Sequence, residues 1–414
     1  MQPQWSVWPS GTELLTMEVL HPRLSQWGGP FSCPSDPILD TPVVASKDID
    51  NPSEDDRLAA FPADVASPLC WTGAAVLPKD YVVTLSSEDI ESIRSSIGHF
   101  KKLGLAIPMI SPETFPLPQP LAQRLRDISN EIHEGRGFVV LRGWDPSTHT
   151  DEENVIAFCG VASHVGVKRH TDAKGISLDH LRDASRDPKP AGREHVELHP
   201  GKVMAPLKFH ADRRFADIVG LFVKTKALVG GKQRLSSFWT VFNEMRRNNP
   251  DALRVLAGDF PWPDVFDTDS DSDNDPTPTP APVIFHKNGK VICQLEYRVF
   301  EGTNNTLTQA QWKALDTLES IADKHSLELD VQPGDMQLIN NYAILHGRRA
   351  WVDRGERERH YYRVGLHDPE NAWERPDGYE RVFDGFLKAV PREQSIPVTD
   401  WDPYGMTSID MGHG

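Results

Sequence analysis

Phe209-His-Ala-Asp212 runs within a few residues into Ile218-Val-Gly-Leu-Phe-Val-Lys224, and far downstream Gly334-Asp-Met-Gln-Leu-Ile-Asn-Asn-Tyr-Ala-Ile-Leu345 ends at His346. Both apolar runs are short and bounded by turn residues, the texture of buried strands. In an extended chain residues i and i+2 point to one side, so His210 and Asp212 can offer an imidazole and a carboxylate to one ion. The second run, read as a single strand from Met336 to Leu345, delivers His346 from far along the chain.

Histidine followed two residues later by a carboxylate is a weak signal by itself. With 16 His and 60 Asp+Glu in 414 residues, chance supplies about two such pairs. Context separates them. His170-x-Asp172 lies in a polar turn, Lys-Arg-His-Thr-Asp-Ala-Lys-Gly, expected at the surface, and His195-x-Glu197 lies in a charged stretch. His210-x-Asp212 stands at the mouth of the strand region and has His346 to complete it. Two neutral imidazoles and one carboxylate on a single face of an iron ion leave open positions, the arrangement that serves non-haem Fe(II) oxygenases.

The rest of the chain reads as α+β, mainly β, with helices before the strands. Ser86 to Asp89 opens a helix carrying Ile90, Ile93, Ile97 and Phe100 and stopping near Gly104. A second helix carries Leu121, Leu125, Ile128 and Ile132 and leads into a buried strand, Gly137-Phe-Val-Val-Leu-Arg142. Thr150-Asp-Glu-Glu153 is a capping box, as is Thr308-Gln-Ala-Gln311. Leu235 to Val241 is expected as a strand before a helix near Phe242. Val283 to Cys293 is expected as a hairpin, because Asn288-Gly289 suits a type I′ turn. Residues 1–65 read as a poorly ordered tail, 66–390 as one domain, and 391–414 as a C-terminal tail. Within the domain, 267–282 is an acidic and Pro-rich surface insertion. It is not an EF-hand: counted from Asp267, the Gly and Glu positions hold Ser272 and Pro278.

Composition narrows the function. Lys+Arg 44 against Asp+Glu 60 gives a net charge of −16, so a nucleic-acid partner is not expected. No run of 18 apolar residues is present, which argues against a membrane span. Four cysteines without a CxxC pair, and a start with no apolar leader, suit reduced thiols in a cytoplasmic chain.

Beyond His346 lies a basic cluster, Arg348, Arg349, Arg354, Arg357, Arg359 and Arg363. Most of it is expected in a solvated loop around Asp353. Arg359 and Arg363 differ, because they flank His360-Tyr-Tyr362 on an expected strand. Alternation puts Arg359, Tyr361, Arg363 and Gly365 on one face and His360, Tyr362, Val364 and Leu366 on the other. A guanidinium beside iron can grip a carboxylate at two points.

Together Phe209-His-Ala-Asp212, the Gly230-Gly231 turn, Ser236 to Glu244, Gly334 to Asn341 leading to His346, and Arg359-His-Tyr-Tyr-Arg363 resemble the taurine dioxygenase and clavaminate synthase-like family, above all its fungal-type members. Gly135-Arg-Gly-Phe-Val-Val-Leu-Arg-Gly143 fits that family's early strand. The resemblance, from about residue 70 to 370, implies a double-stranded β-helix (jelly roll) with flanking helices, one Fe(II), 2-oxoglutarate as co-substrate and O₂ as oxidant. It puts the iron on His210, Asp212 and His346, the far carboxylate of 2-oxoglutarate on Arg359, and the substrate near Arg363, which would favour an anionic small molecule. Where the family often has a hydroxyl residue touching 2-oxoglutarate, this chain has Gln233, which can still donate a hydrogen bond. The implied reaction is oxidation of a metabolite, from a secondary pathway in our reading, with release of succinate and CO₂. The rival is a silent member of the fold kept as a binding module, whose expected sign, loss of a ligand residue, is missing. A halogenase would replace the carboxylate by a small residue, and Asp212 argues against that.

Overall fold

The computed structural model describes residues 57–172, 174–192, 196–213, 215–262, 279–301, 307–353, 358–375 and 393–404. His195, Arg354, Arg357, most of the acidic insertion and most of the N-terminal tail lie outside these residues.

Five long helices form where the spacing requires them. α1 (Ser87–Leu103) starts on a Ser86/Asp89 capping box, ends on Gly104 at φ 64°, and buries Ile93, Ile97 and Phe100. α2 (Gln119–His133) buries Leu121, Leu125, Ile128 and Ile132. α3 (Asp151–Ser163) starts on the Thr150/Glu153 box and is buried all round from Asn154 onward. α4 spans Phe238–Asn248 and α5 spans Gln309–Lys324.

The strands, in chain order, are β1 (Val82–Thr84), β2 (Phe138–Arg142), β3 (Lys168–Arg169), β4 (Asp179–Arg182), β5 (Leu207–His210), β6 (Ile218–Thr225), β7 (Val229–Gly230) and β8 (Gln233–Ser237). β9 (Phe260–Trp262), β10 (Thr279–Ala281), β11 (Ile284–Lys287) and β12 (Lys290–Cys293) follow as two antiparallel pairs. The last five are β13 (Leu327–Glu328), β14 (Met336–Asn340), β15 (Ile344–Arg348), β16 (Trp351–Val352) and β17 (His360–His367). A seven-stranded sheet runs β1-β2-β14-β6-β17-β3, with β4 also on β17, and a four-stranded sheet runs β13-β8-β15-β5. The fold is therefore mixed α/β with two main sheets.

Alternation along β17 divides the core as the sequence implies. Tyr362, Val364 and Leu366 join the cluster made with α1, α2 and α3, whereas Tyr361 joins a second cluster with Phe209, Phe215, Val219, Leu221, Leu235 and Ile344. The first covers one face of the large sheet with helices; the second draws on strands of both sheets. The functional side chains belong to this second face.

Several expectations are corrected. The expected strand from Met336 to Leu345 is two strands, one in each sheet. Asn340 Oδ1 accepts from the Tyr342 and Ala343 amides at 2.8 and 3.1 Å, so the side chain turns the chain where a ladder would continue. The strand expected over Leu235–Val241 ends at Ser237, whose hydroxyl caps the Thr240 amide and starts α4 at Phe238. The insertion boundary at 282 is too late, since Thr279–Ala281 pairs with Phe260–Trp262. The tail boundary at 65 is also too late: Leu58 and Val65 are buried, and the Val65 amide donates to Asn243 Oδ1 at 2.9 Å. The Asn288-Gly289 hairpin forms as expected, with φ 47° and 77°.

The C-terminal tail expected over 391–414 is a packed strap over 393–404. Ser395 bridges to Ile176, Pro397 O accepts from His180 Nε2 at 3.0 Å, and Asp400 pairs with Lys202 at 2.7 Å and Arg182 at 2.9 Å. Lys202 is 2% exposed, so Asp400→Ala strands a buried cation, and loss of one partner costs about 3–5 kcal/mol. Urea midpoints of wild type and variant check this, and Lys202→Met in the variant background should recover most of the loss.

A second buried network ties α2 to β17. Asp217 accepts from His133 at 3.2 Å and from His367 at 2.7 Å. Burial opposes charge on His133, but Asp217 and the Ser129 carbonyl raise its pKa above the ordinary value. A raised histidine contributes fully below its unfolded pKa of about 6.5, and its contribution is lost as pH rises through the folded value. The stability gap between wild type and His133→Gln should therefore be wide at pH 6 and narrow by pH 9 in urea titrations.

Candidate metal centre

His210 is the last residue of β5 and stands opposite His346 on β15. Opposed residues share a face, and the two rings lie 4.3 Å apart between centroids. Asp212 follows two residues on and is fully buried. His210 Nε2 lies 3.7 Å from Asp212 Oδ1, and His346 Nε2 lies 3.7 Å from Asp212 Oδ2. That gap is too long for hydrogen bonds and leaves room for an ion between the atoms. One ligand atom from each residue lies within 4.8 Å of the others, and the three are the one such grouping among the described residues.

The electrostatics suit a cation. His210 Nδ1 donates to the Lys208 carbonyl at 2.8 Å, which turns the Nε2 lone pair toward the centre. Burial, aided by His346, pushes His210 down to about 4 against the pull of Asp212. Burial works against ionisation of Asp212, yet Arg363, His346 and His210 together hold it well below the usual carboxylate range. Neutral imidazole and ionised carboxylate are the states that ligate. Asn341 Nδ2 donates to the Asp212 and Ala216 carbonyls at 2.8 and 2.9 Å, tying the Asp212 loop to the turn that precedes β15.

Arg363 lies behind the carboxylate. Its Nη1 is 3.3 Å from Asp212, and its Nε donates to Asp179 Oδ2 at 3.0 Å, its register partner on β4. Two carboxylates face its guanidinium, and its Nη2, 3.0 Å from Asp179 Oδ2, makes no hydrogen bond to the described residues. Arg359 is 3% exposed and stacks on Tyr361 at 3.8 Å and against Trp351 at 4.9 Å. Its Nε and Nη1 make no hydrogen bond to the described residues.

Gln233 pairs with Arg348 across β8 and β15, two residues from the Leu235–His346 pair, and its Oε1 is likewise unpartnered. Arg348 corrects the solvated-loop expectation. It is buried, stacks on the Trp351 ring at 4.0 Å, and donates to the Val203 and Ala205 carbonyls at 2.9 and 2.7 Å. Two buried guanidiniums share one indole, and neither makes an ion pair with a described residue.

His170 also departs from expectation: it is 2% exposed, its ring 4.6 Å from Phe215, because its amide pairs with Gly365 of β17. His149-Thr-Asp151 repeats the spacing but diverges, His149 stacking on Trp144 and Asp151 pairing with Lys224. The sequence reading gave no role to Asp179, His199 or Glu296, each of which lies close enough to Asp212 to feel its charge, and placed Arg348 in a solvated loop. Burial, then Asp212, pushes Glu296 up to about 8. No spacing marks these residues, since each reaches the site through tertiary packing of its own segment.

The model of the family described as taurine catabolism dioxygenase TauD, TfdA family matches residues 99–364. The taurine hydroxylase-like protein SAT17 of Stachybotrys chartarum is 32% identical over 352 residues, covering 81% of this chain and 87% of that protein. Asparagine oxygenase, solved with Fe(II), 2S,3S-3-hydroxyasparagine and succinate, is similar at TM-score 0.52 and 17% identity, covering 70% of this chain and 94% of its own. The non-heme iron oxygenase OrfP, solved with Fe and alpha-ketoglutaric acid, is similar at 0.50 and 15%, covering 69% and 94%. Those two likenesses are of fold. No helix among the described residues is long and apolar enough to cross a membrane. The matched span carries all six expected site residues, and the chain belongs to the taurine catabolism dioxygenase TauD, TfdA family, an enzyme family of oxidoreductases.

Proposed function

We propose that this chain oxidises a small-molecule metabolite with Fe(II), 2-oxoglutarate and O₂, releasing succinate and CO₂. The observation that carries the reading is the convergence of His210, Asp212 and His346 on one point with no hydrogen bond filling the gap. Its frame, in our reading, is a double-stranded β-helix formed by the seven- and four-stranded sheets. Relatives named for taurine hydroxylase-like activity and for amino-acid oxygenation support a small substrate.

His210, Asp212 and His346 would hold the iron through Nε2, one carboxylate oxygen and Nε2. Bound iron and 2-oxoglutarate supply the oxidising chemistry, which no side chain here can perform alone. The chain's own part is orientation and exclusion of water. Arg359 fits the far carboxylate of 2-oxoglutarate, because two of its nitrogens are buried and have no hydrogen-bond partner among the described residues. Gln233 and Arg348 line the same place, and Arg348 adds a second positive field. Arg363 holds Asp212 ionised and fixes its rotamer while anchored on Asp179.

Purified protein given Fe(II) and 2-oxoglutarate in air should form succinate slowly without added substrate. A chelator should stop this, and Fe(II), but not Zn(II), should restore it. Protein that binds neither iron nor 2-oxoglutarate ends the proposal.

A further inference from the structure

Two segments that the metal centre does not use close over it. The antiparallel bridge of Ala211 to Leu295, with hydrogen bonds of 3.1 and 3.2 Å, sets the positions on either side opposite each other. Glu296 thus stands across from His210, on the side to which His210 and Asp212 point. Glu296 is 5% exposed; one oxygen accepts from the Arg298 amide at 3.4 Å, and Oε2 has no hydrogen-bond partner among the described residues.

His199 comes from the other segment and is 4% exposed. Its Nδ1 accepts from the Gly201 amide at 3.0 Å, so Nε2 carries the proton, and that N–H also lacks a partner among the described residues. His199 and Glu296 feel the same three groups, Asp212, Arg298 and Arg363. Across the outside, Arg298 pairs with Glu197 at 3.2 Å, linking the two segments.

Two buried, unsatisfied polar atoms beside a metal centre are costly unless a ligand completes them. The nearby cations already have carboxylates: Arg363 has Asp179 and Asp212, and Arg298 has Glu197. The wall therefore offers one N–H donor and one carboxyl oxygen, with no unmatched positive charge.

We propose that His199 and Glu296 are the substrate-recognition pair, and that they take a neutral function that both accepts and donates, a hydroxyl or a carboxamide. An ammonium has no lone pair for His199, and a carboxylate or sulfonate would bury a negative charge beside Asp212 and Glu296 with no unmatched cation to offset it. The inference rests on the iron and 2-oxoglutarate reading and narrows its substrate class.

The test uses full-length protein loaded anaerobically with Mn(II) and 2-oxoglutarate. The probes are compounds in matched sets, identical except for a terminal hydroxyl, carboxamide, carboxylate, sulfonate or amine. The readouts are the melting temperature and the Kd by calorimetry. Hydroxyl or carboxamide members should bind wild type. Glu296→Gln should keep that binding, because the amide can still donate and accept. Glu296→Leu and His199→Leu should weaken it at least about tenfold, the effect of one lost buried hydrogen bond.

Equal or tighter binding of the carboxylate or sulfonate members overturns the proposal, and so does unchanged binding by Glu296→Leu and His199→Leu. It is also overturned if 2-oxoglutarate binds and no hydroxyl or carboxamide does. Failure of Mn(II) and 2-oxoglutarate themselves to bind wild type marks failure of the underlying reading, a separate result in the same titration. Leucine variants that melt far below wild type before loading are replaced in the comparison by His199→Phe and Glu296→Met, which also lack the polar atoms.

Discussion

His210→Ala should abolish 2-oxoglutarate-dependent succinate formation and leave the apo-protein near its wild-type melting temperature. The two halves of this expectation have separate causes. His210 ends a strand, its side chain is 14% exposed, and its one hydrogen bond, to Lys208 O, is local. Truncation opens no large internal cavity and leaves no buried backbone group unpaired. A metal site behaves differently. Loss of a partner that merely orients a ligand weakens metal affinity about 10–100-fold, so loss of a ligand should exceed about 100-fold. Metal content after dialysis and calorimetric Fe(II) or Mn(II) titration measure this directly. A variant that keeps full metal affinity and turnover removes His210 from the centre.

Asp212→Asn sharpens the point. The amide keeps the shape but removes the negative charge facing both imidazoles, and it leaves Arg363 with Asp179 alone. Metal affinity should fall as it does for His210→Ala, while the apo-protein also loses stability. His210→Ala and Asp212→Asn thus separate ligation from packing.

The legible part of this protein was the part with local rules. Capping boxes at Ser86, Thr150 and Thr308 and the Asn288-Gly289 turn are short-range chemistry, and each stands where it was expected. The triad was legible because an i, i+2 spacing on a strand is also local, and His346 needed only a strand to carry it. Features set by distant contacts were not. Asn340 turns the chain between sheets through its side chain, which no periodicity records. His170 and Arg348 look like surface residues in a polar stretch and are buried because Gly365 and the 200–205 segment close on them. The C-terminal strap is held by three polar anchors rather than an apolar stripe, so its sequence reads as a tail. Arg363 lies on the expected strand face, but its contact with Asp179 was not legible, because Asp179 reaches it only through the β4–β17 register.

Arg359→Ala should raise the Kd and KM for 2-oxoglutarate by about a hundredfold or more, with little change in metal affinity. Removing one member of a buried charge pair costs about 2–5 kcal/mol, and Arg359 offers two nitrogens without a partner among the described residues where a carboxylate would lie. Lysine should recover only part of the loss, since a point charge cannot reproduce a two-point grip. The stability effect runs against the usual sense for a buried residue. Arg359 is a cation buried without an ion pair among the described residues, so its removal ends a desolvation cost. Against this stands the lost stacking on Tyr361 and Trp351, about 0.5–2 kcal/mol for such contacts. The terms oppose each other, and the apo-variant should melt within a few degrees of wild type. Added 2-oxoglutarate should then separate the two proteins. At a hundred times its Kd a ligand adds about 2.7 kcal/mol to the folded state; wild type should gain this and Arg359→Ala should not. If the variant instead loses several kcal/mol as apo-protein and keeps its 2-oxoglutarate affinity, the stacked guanidinium is a structural strut and the co-substrate carboxylate lies elsewhere.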